Sequence, residues 1–460
     1  MISISFLGAA QTVTGSKYLL RVDRDMVLVD CGAFQGLKDL RLLNWDSPPF
    51  NAHALKWIVL THAHIDHIGF IPRLWKYGFR GKILCSEPTA RLADILLLDA
   101  ASLHEEDARF LNKTKATRHA PALPFFTVDD ARAALRHFQP VKMEETVELT
   151  PSISFRLRPV GHILGACTVQ MTLGAGKGRR TILFSGDIGR YTLPLLPDPE
   201  PPVETDYLIL ESTYGDRLHS DEDPLDSLKN LVKQIVESKG ILLIPAFAVG
   251  RSQLLVHLLN TLVEQRRIPP IPIHVDSPMA IDATEIFCDY PELHRVDVAD
   301  GGECIGLHAR NVHYHRTRDE SQSINSLKGP RIIISSSGML SGGRILHHIA
   351  QRADDPENII AIAGFQAVGT RGRDLLDGKK TLKFHGRVHT IAAEVTSLNG
   401  LSGHADYREI LRWLAPLSGA PRMTFITHGE PGPAAAMADH VRETYGHRAT
   451  IPELGDVHEL

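Results

Sequence analysis

The sequence predicts an α/β fold on three observations. Short apolar, β-branched runs recur along the 460-residue chain, and several end in a histidine or an aspartate next to a turn. Stretches with apolar residues at helical spacing separate many of them. Between Pro224 and Ile334 strands and helices alternate, the pattern of a parallel sheet.

In the first third, strands are expected at Ile2 to Leu7, Tyr18 to Val22, Met26 to Val29 and Lys56 to Leu60. Helices follow at Ile68 to Tyr77, Thr89 to Leu111 and Thr127 to Phe138, the last with Thr127 as N-cap. Strands return at Ser152 to Pro159, Cys167 to Leu173, Thr181 to Ser185 and Tyr207 to Leu210. Gly174 to Gly178 reads as a hairpin turn; no Ser or Thr follows its Gly-Lys pair, so it is not a phosphate-binding loop. Leu193 to Val203 is Pro-rich and reads as a linker or rigid surface loop. The middle block places helices at Pro224 to Ser238 and Arg251 to Glu264, and strands at Ile241 to Ile244, Ile271 to Val275 and Arg331 to Ile334. After it come strands at Leu382 to Phe384 and Arg387 to Val395, a helix at Tyr407 to Leu414, the strand Met423 to Thr427 and a helix after Pro431.

Composition narrows the class. Hydrophobic residues make up 43% and charged residues 23%, ordinary for a soluble globular protein of two or three domains. No apolar run reaches membrane-spanning length, and MISISFLGAAQTVTG lacks the basic n-region of a signal peptide. The five cysteines are scattered without a C-x-x-C pair, which argues against a disulfide framework or thiolate metal site and for a cytoplasmic protein. A net charge of −4 excludes a generally basic nucleic-acid binder, so any such contact needs a local patch.

The densest chemistry lies in Thr61 to Gly69, THAHIDHIG, directly after a buried strand. His62, His64 and His67 offer imidazole nitrogens and Asp66 a carboxylate, donors that Zn²⁺ accepts. Alternation on extended backbone points His62 and His64 the same way, towards one ion. Asp66 and His67, past the bend, point elsewhere and could serve a second. More donors stand at later strand ends: His162 between Gly161 and Gly165, Asp187 in Ser185-Gly186-Asp187, and Asp30 before Cys31-Gly32, placed to orient a ligand histidine. His404 follows Ser402-Gly403. Thr427-His428 repeats the strand–Thr–His pattern of Thr61-His62.

The set Asp30, His62-x-His64-x-Asp66-His67, His162 and Asp187 resembles motifs one to four of the metallo-β-lactamase fold. The middle block resembles the β-CASP insertion of its nucleic-acid-processing members. Glu211 in LESTYGDR matches motif A, His404 in SGH motif B and His428 motif C; PAFAVGR, SSSGMLSGG and GFQAVGTRGR are similar to further β-CASP stretches. The resemblance spans nearly the whole chain and includes the RNase J group and the endonuclease of messenger-RNA polyadenylation. An N-terminal KH-like extension and a long C-terminal tail are absent from the sequence. The implied fold is an αββα sandwich with an inserted α/β β-CASP domain, divided as 1–211 (sandwich, first part), 212–383 (insertion) and 384–460 (sandwich, C-terminal part).

The resemblance implies two zinc ions, with Mn²⁺ as the alternative. His62, His64 and His162 would hold one, Asp66, His67 and His428 the other, and Asp187 would bridge them. It implies a phosphodiesterase that cleaves single-stranded RNA, endo- or 5′-to-3′ exonucleolytically, by attack of a metal-activated hydroxide. Asp66, Asp187, Glu211 and His404 are the expected catalytic groups, with His404 as general acid oriented by Glu211. Ser335, Ser336, Ser337, Arg344, Arg371 and Arg373 are candidates for phosphate or RNA contact. Between Arg371 and Arg387 six Lys or Arg face two acids, and His308 to Arg318 holds a second basic stretch. A homodimer is compatible with this reading. The alternatives are a non-catalytic RNA-binding or assembly subunit and a metallo-hydrolase of DNA or small esters.

Overall fold

Alternating burial organises the first sheet: along Asp25–Val29, Val27 and Val29 point to one face and Leu28 to the other, and all three are fully buried. The computed structural model describes residues 2–115, 117 and 119–460. These divide into two units: Met1–Thr192, Asp198–Leu218 and His404–Leu460 form one, and Leu193–Pro197 with His219–Gly403 the other.

The first unit contains two seven-stranded sheets. One runs, in spatial order, Val457–Glu459, Ile2–Phe6, Tyr18–Val22, Asp25–Val29, Trp57–Val59, Lys82–Cys85 and Phe138–Pro140. The other runs Ala449–Thr450, Met423–Thr427, Tyr207–Glu211, Arg180–Phe184, Cys167–Leu173, Ile153–Pro159 and Thr146–Thr150. Their facing sides share one core, in which Phe6 meets Phe425 at 5.1 Å between ring centroids and Tyr18 meets Phe184 at 5.6 Å. The outer faces carry helices, among them Glu87–Thr114 on the first sheet and Pro431–Tyr445 on the second. This is the expected αββα sandwich. Thr127 is the N-cap of Val128–Leu135, as expected, and the structure adds a full capping box with Asp130.

Strand direction positions the site. Asp25–Val29 is parallel to Trp57–Val59, and Arg180–Phe184, Tyr207–Glu211 and Met423–Thr427 are mutually parallel. Ile153–Pro159, two antiparallel steps away, points the same way as Arg180–Phe184. The donor residues therefore leave from strand C-termini, where side chains escape ladder pairing and can converge.

The second unit is a parallel six-stranded sheet in the order Val312–Tyr314, Ile273–Val275, Arg331–Ser335, Ile241–Pro245, Ile359–Ala363 and Glu394–Leu398. Every residue of Arg331–Ser335 and Ile359–Ala363 is buried, the signature of strands covered on both faces.

Three features differ from expectation. The single strand expected at 387 to 395 is two: Arg387–Thr390 pairs antiparallel with Thr381–Phe384, and Glu394–Leu398 joins the six-stranded sheet. The backbone N–H groups of Ala392 and Ala393, between them, donate to Ala353 O and so leave either ladder. Ile68 to Tyr77 is not one helix but Ile65–Ile68 and Ile71–Lys76. Cys288 and Cys304, expected to be unpaired, form a disulfide with Cα atoms 5.5 Å apart. No helix among the described residues is long and apolar enough to cross a membrane.

Candidate metal centre

The stretch Thr61–His64 follows Trp57–Val59 with a bend at Thr61, and His64, in extended conformation, is the N-cap of Ile65–Ile68. Extended backbone brings His62 Nε2 and His64 Nδ1 to 3.1 Å, and the helical turn carries Asp66 and His67 away from them. This bend needs Gly32, because a Cβ there would overlap the Asp66 carbonyl. Asp30 and His428 both hold positive φ, +57° and +49°. Aspartate and histidine tolerate that left-handed backbone better than branched residues, and such strain gathers at functional sites.

Two donor sets result. His62, His64, His162 and Asp187 place one ligand atom each within 4.8 Å of all the others, as do Asp66, His67 and His428. In the first set His162 Nε2 is 3.2 Å from His64 Nδ1, and Asp187 Oδ2 is 3.3 Å from His62 Nε2 and 3.5 Å from His162 Nε2. In the second, His428 Nε2 is 3.2 Å from His67 Nε2 and 3.4 Å from Asp66 Oδ2. Asp187 Oδ1 turns to this side, 3.4 Å from His67 Nε2. Tetrahedral zinc with bonds of about 2.0–2.1 Å has ligand–ligand edges of about 3.3 Å, so the spacing fits a divalent ion in each set. A second observation agrees: Asp187 Oδ1 is buried and receives no hydrogen bond, a cost that a cation would relieve.

The protonation pattern suits ligation. Burial holds the His62 imidazole down at about 3, with His67 adding to this and Asp187 opposing it. Burial likewise brings His64 down to about 4 and His162 well below its ordinary value. These rings are neutral at pH 7, the form that binds metal. His67 is the exception: burial disfavours its charge, but the Asp187 and Asp30 carboxylates outweigh that and raise it. Burial opposes ionisation of Asp187 too, and the surrounding histidines, His428 and His67 first, overcome it.

Supporting groups fix these rings. Asp30 Oδ2 lies 2.8 Å from His67 Nδ1 and leaves Nε2 to face the second set. Asp30 also accepts from the Thr61 backbone N–H at 2.8 Å and from its hydroxyl. Glu211, 1% exposed, accepts from the Ile188 N–H, from Thr213 Oγ1 at 2.7 Å and from His404 Nδ1 at 3.0 Å. Burial lowers His404, but Glu211 and then Asp187 raise it to about 9. Sequence reasoning missed Thr61 and Thr213 as partners. Thr213 Oγ1 stands 3.2 Å from His428 Nδ1 and so links Glu211 to the second set. Its signal was position: it is two residues after Glu211, in the turn that follows the strand.

The remaining candidates lie in the second unit and are largely committed to protein partners. Ser335 is buried and donates to Asp276 O, Ser336 meets Ser277, and Ser337 meets Ser341. Arg344 binds Asp276 and the carbonyls of His315 and Arg316. Arg371 donates to the carbonyls of Lys383, Leu340 and Ser341, and Arg373 to Asp377.

Comparison with known proteins agrees with this architecture. Residues 12–237 match the metallo-beta-lactamase superfamily, 252–375 the Beta-Casp domain, and 388–452 the Zn-dependent metallo-hydrolase RNA specificity domain. The chain is 33% identical over 430 residues to Ribonuclease TTHA0252 of Thermus thermophilus, covering 92% of each chain. It is 30% identical to Transcription termination factor FttA of Methanocaldococcus jannaschii, covering 98% of this chain and 70% of that one. A crystal structure of a protein of unknown function from Enterococcus faecalis superposes over the full length of both chains with a TM-score of 0.54 at 13% identity, a likeness of fold. The chain belongs to the β-CASP family of the metallo-β-lactamase superfamily.

Proposed function

We propose that this protein is a two-zinc phosphodiesterase of single-stranded RNA, acting in RNA processing or decay in the cytoplasm. Family membership makes it a metal-dependent hydrolase, and the relative named a ribonuclease, matched nearly end to end, favours RNA. The observation that carries the reading is Asp187, whose two oxygens face different histidine sets. Of the expected division into 1–211, 212–383 and 384–460, the sandwich would take its C-terminal part from His404 on, since Glu394–Leu398 joins the six-stranded sheet.

His62, His64 and His162 would hold one ion, Asp66, His67 and His428 the other, and Asp187 both. When bound, the metals supply Lewis acidity: they acidify a water and offset charge on the phosphoryl oxygens. Asp30 accepts from His67 Nδ1 and so would leave Nε2 as the atom that gives up its proton to ligate when a metal binds. Glu211 takes the Nδ1 proton of His404 as a hydrogen bond, which leaves Nε2 as the atom that delivers a proton to the departing 3′-oxygen. Near pH 7 an imidazole held at about 9 carries that proton. Ser336, Ser337 and the turn around them are the proposed phosphate contacts. Arg371 acts there by bracing the turn at the Leu340 and Ser341 carbonyls, whereas the Arg344 and Arg373 guanidiniums are already bound to Asp276 and Asp377.

Incubation with 5′-labelled single-stranded RNA bearing either a 5′-hydroxyl or a 5′-monophosphate tests this. Cleavage is expected, and the product ladder assigns endo- or exonucleolytic mode. Absence of cleavage by metal-loaded protein would favour the binding-subunit reading.

A further inference from the structure

A cavity of about 220 Å³ lies in the first unit, apart from every proposed metal ligand. Its mouth is at residues 46–49, where Asp46, Ser47 and Pro49 are exposed. Its floor is buried and apolar, built from Leu28, Phe34, Phe70 and Leu74, with the Cys31 thiol among them. A dry apolar cavity of about 150 Å³ already accepts benzene, whereas drug-sized pockets span about 300–1,000 Å³. The space therefore suits one short chain or a single ring.

One cation is set into this apolar wall. Lys17 is 8% exposed. Its Nζ donates to Gly32 O at 2.6 Å and sits 4.4 Å from the Phe34 ring centroid and 5.2 Å from that of Phe70. An ammonium has three donors, and among the described residues no carboxylate lies within ion-pair distance of this one. Ring faces offset part of the cost of burying a cation, but a buried charge without a counter-charge remains expensive. Burial correspondingly draws the Lys17 ammonium down to about 8, with Cys31 opposing.

A buried cation at the edge of an apolar void is complementary to an anionic head on an apolar tail. We propose that this cavity is a binding site for a small amphipathic monocarboxylate, with its carboxylate on Lys17 Nζ and its hydrocarbon among Leu28, Phe34 and Leu74. The pairing restores the missing counter-charge where the low dielectric strengthens it, and the tail fills space that water occupies poorly. The wall that carries Lys17 is shared with the metal centre: Gly32, its carbonyl acceptor, is two residues from Asp30, the partner of His67.

Calorimetric titration of the metal-loaded full-length protein with octanoate, and separately with octanamide, tests this. Saturable binding of one octanoate per chain is expected, at least tenfold tighter than octanamide. In Lys17→Met that preference should vanish. A lysine placed only to brace the Gly32 carbonyl would give acid and amide equal affinity in the wild type, and that result overturns the proposal. So does the absence of saturable octanoate binding below its micellar concentration. Both wild-type readings hold even if Lys17→Met does not fold.

Discussion

Glu211→Gln isolates the proposed proton-delivering arm of the site. The carboxylate is buried and accepts from Ile188 N–H, Thr213 Oγ1 and His404 Nδ1. Glutamine keeps one acceptor oxygen, so its NH₂ must meet one of those donors, and losing a hydrogen bond to a charged group costs about 1.5–3 kcal/mol. The larger effect is electrostatic. Glu211 is the strongest of the influences that raise His404 to about 9 against burial. Without its charge, burial weighs more against Asp187 and Asp66, and the imidazole falls towards its ordinary value of about 6.5. At pH 7.5 the protonated fraction then drops from nearly all to about a tenth. If His404 protonates the leaving oxygen, single-turnover RNA cleavage at pH 7.5 slows at least about tenfold. Activity of the wild type should be lost as pH rises through about 9, and in the variant that alkaline limb moves acidward by up to about 2.5 units. Metal content and thermal melting show whether the variant is folded and loaded. An unchanged limb in such a protein refutes His404 as the acid oriented by Glu211.

Asp30→Ala frees His67 Nδ1, so metal affinity by competition with a chelator should weaken about 10–100-fold while the fold persists. Metal-depleted protein should lose stability as pH falls from about 6.5, because the unfolded chain takes up protons that His62 and His64, held at about 3 and about 4, refuse. The slope is roughly 1.4 kcal/mol per pH unit per histidine and is read from urea midpoints; a flat profile contradicts the neutral-ligand assignment. His67 and His404 do not contribute there, since their raised values keep them protonated in both states below that pH. In the parallel sheet, Ile333→Ala should destabilise by about 2–5 kcal/mol in denaturant unfolding, because its side chain is fully buried in a dense core.

The donor residues were legible because each follows an apolar strand, and parallel strands bring their C-termini together whatever lies between them in sequence. His428 reaches His67 across 361 positions in this way. The αββα layering followed from the motif resemblance, and the N-cap at Thr127 from local chemistry alone. What stayed hidden depends on tertiary partners. Residues 387 to 395 carry one continuous strand-like pattern, and only the Ala353 carbonyl separates a hairpin from a sheet edge. Cys288 and Cys304 lie 16 positions apart with no motif between them, so their pairing is set by the fold. The arginines near Ser337 read as a basic patch, but their hydrogen bonds go to carbonyls and carboxylates of the chain. Lys17 had no signal at all, since a lysine just before a strand normally extends its head to water.

The central claim is a metal pair bridged by Asp187 that cleaves RNA. Chelator-treated wild-type protein should stop cutting 5′-labelled single-stranded RNA and recover with two equivalents of Zn²⁺ per chain. Asp187→Ala, folded by circular dichroism, should retain fewer ions and remain inactive. Full cleavage by a well-folded, metal-depleted Asp187→Ala protein would contradict the account.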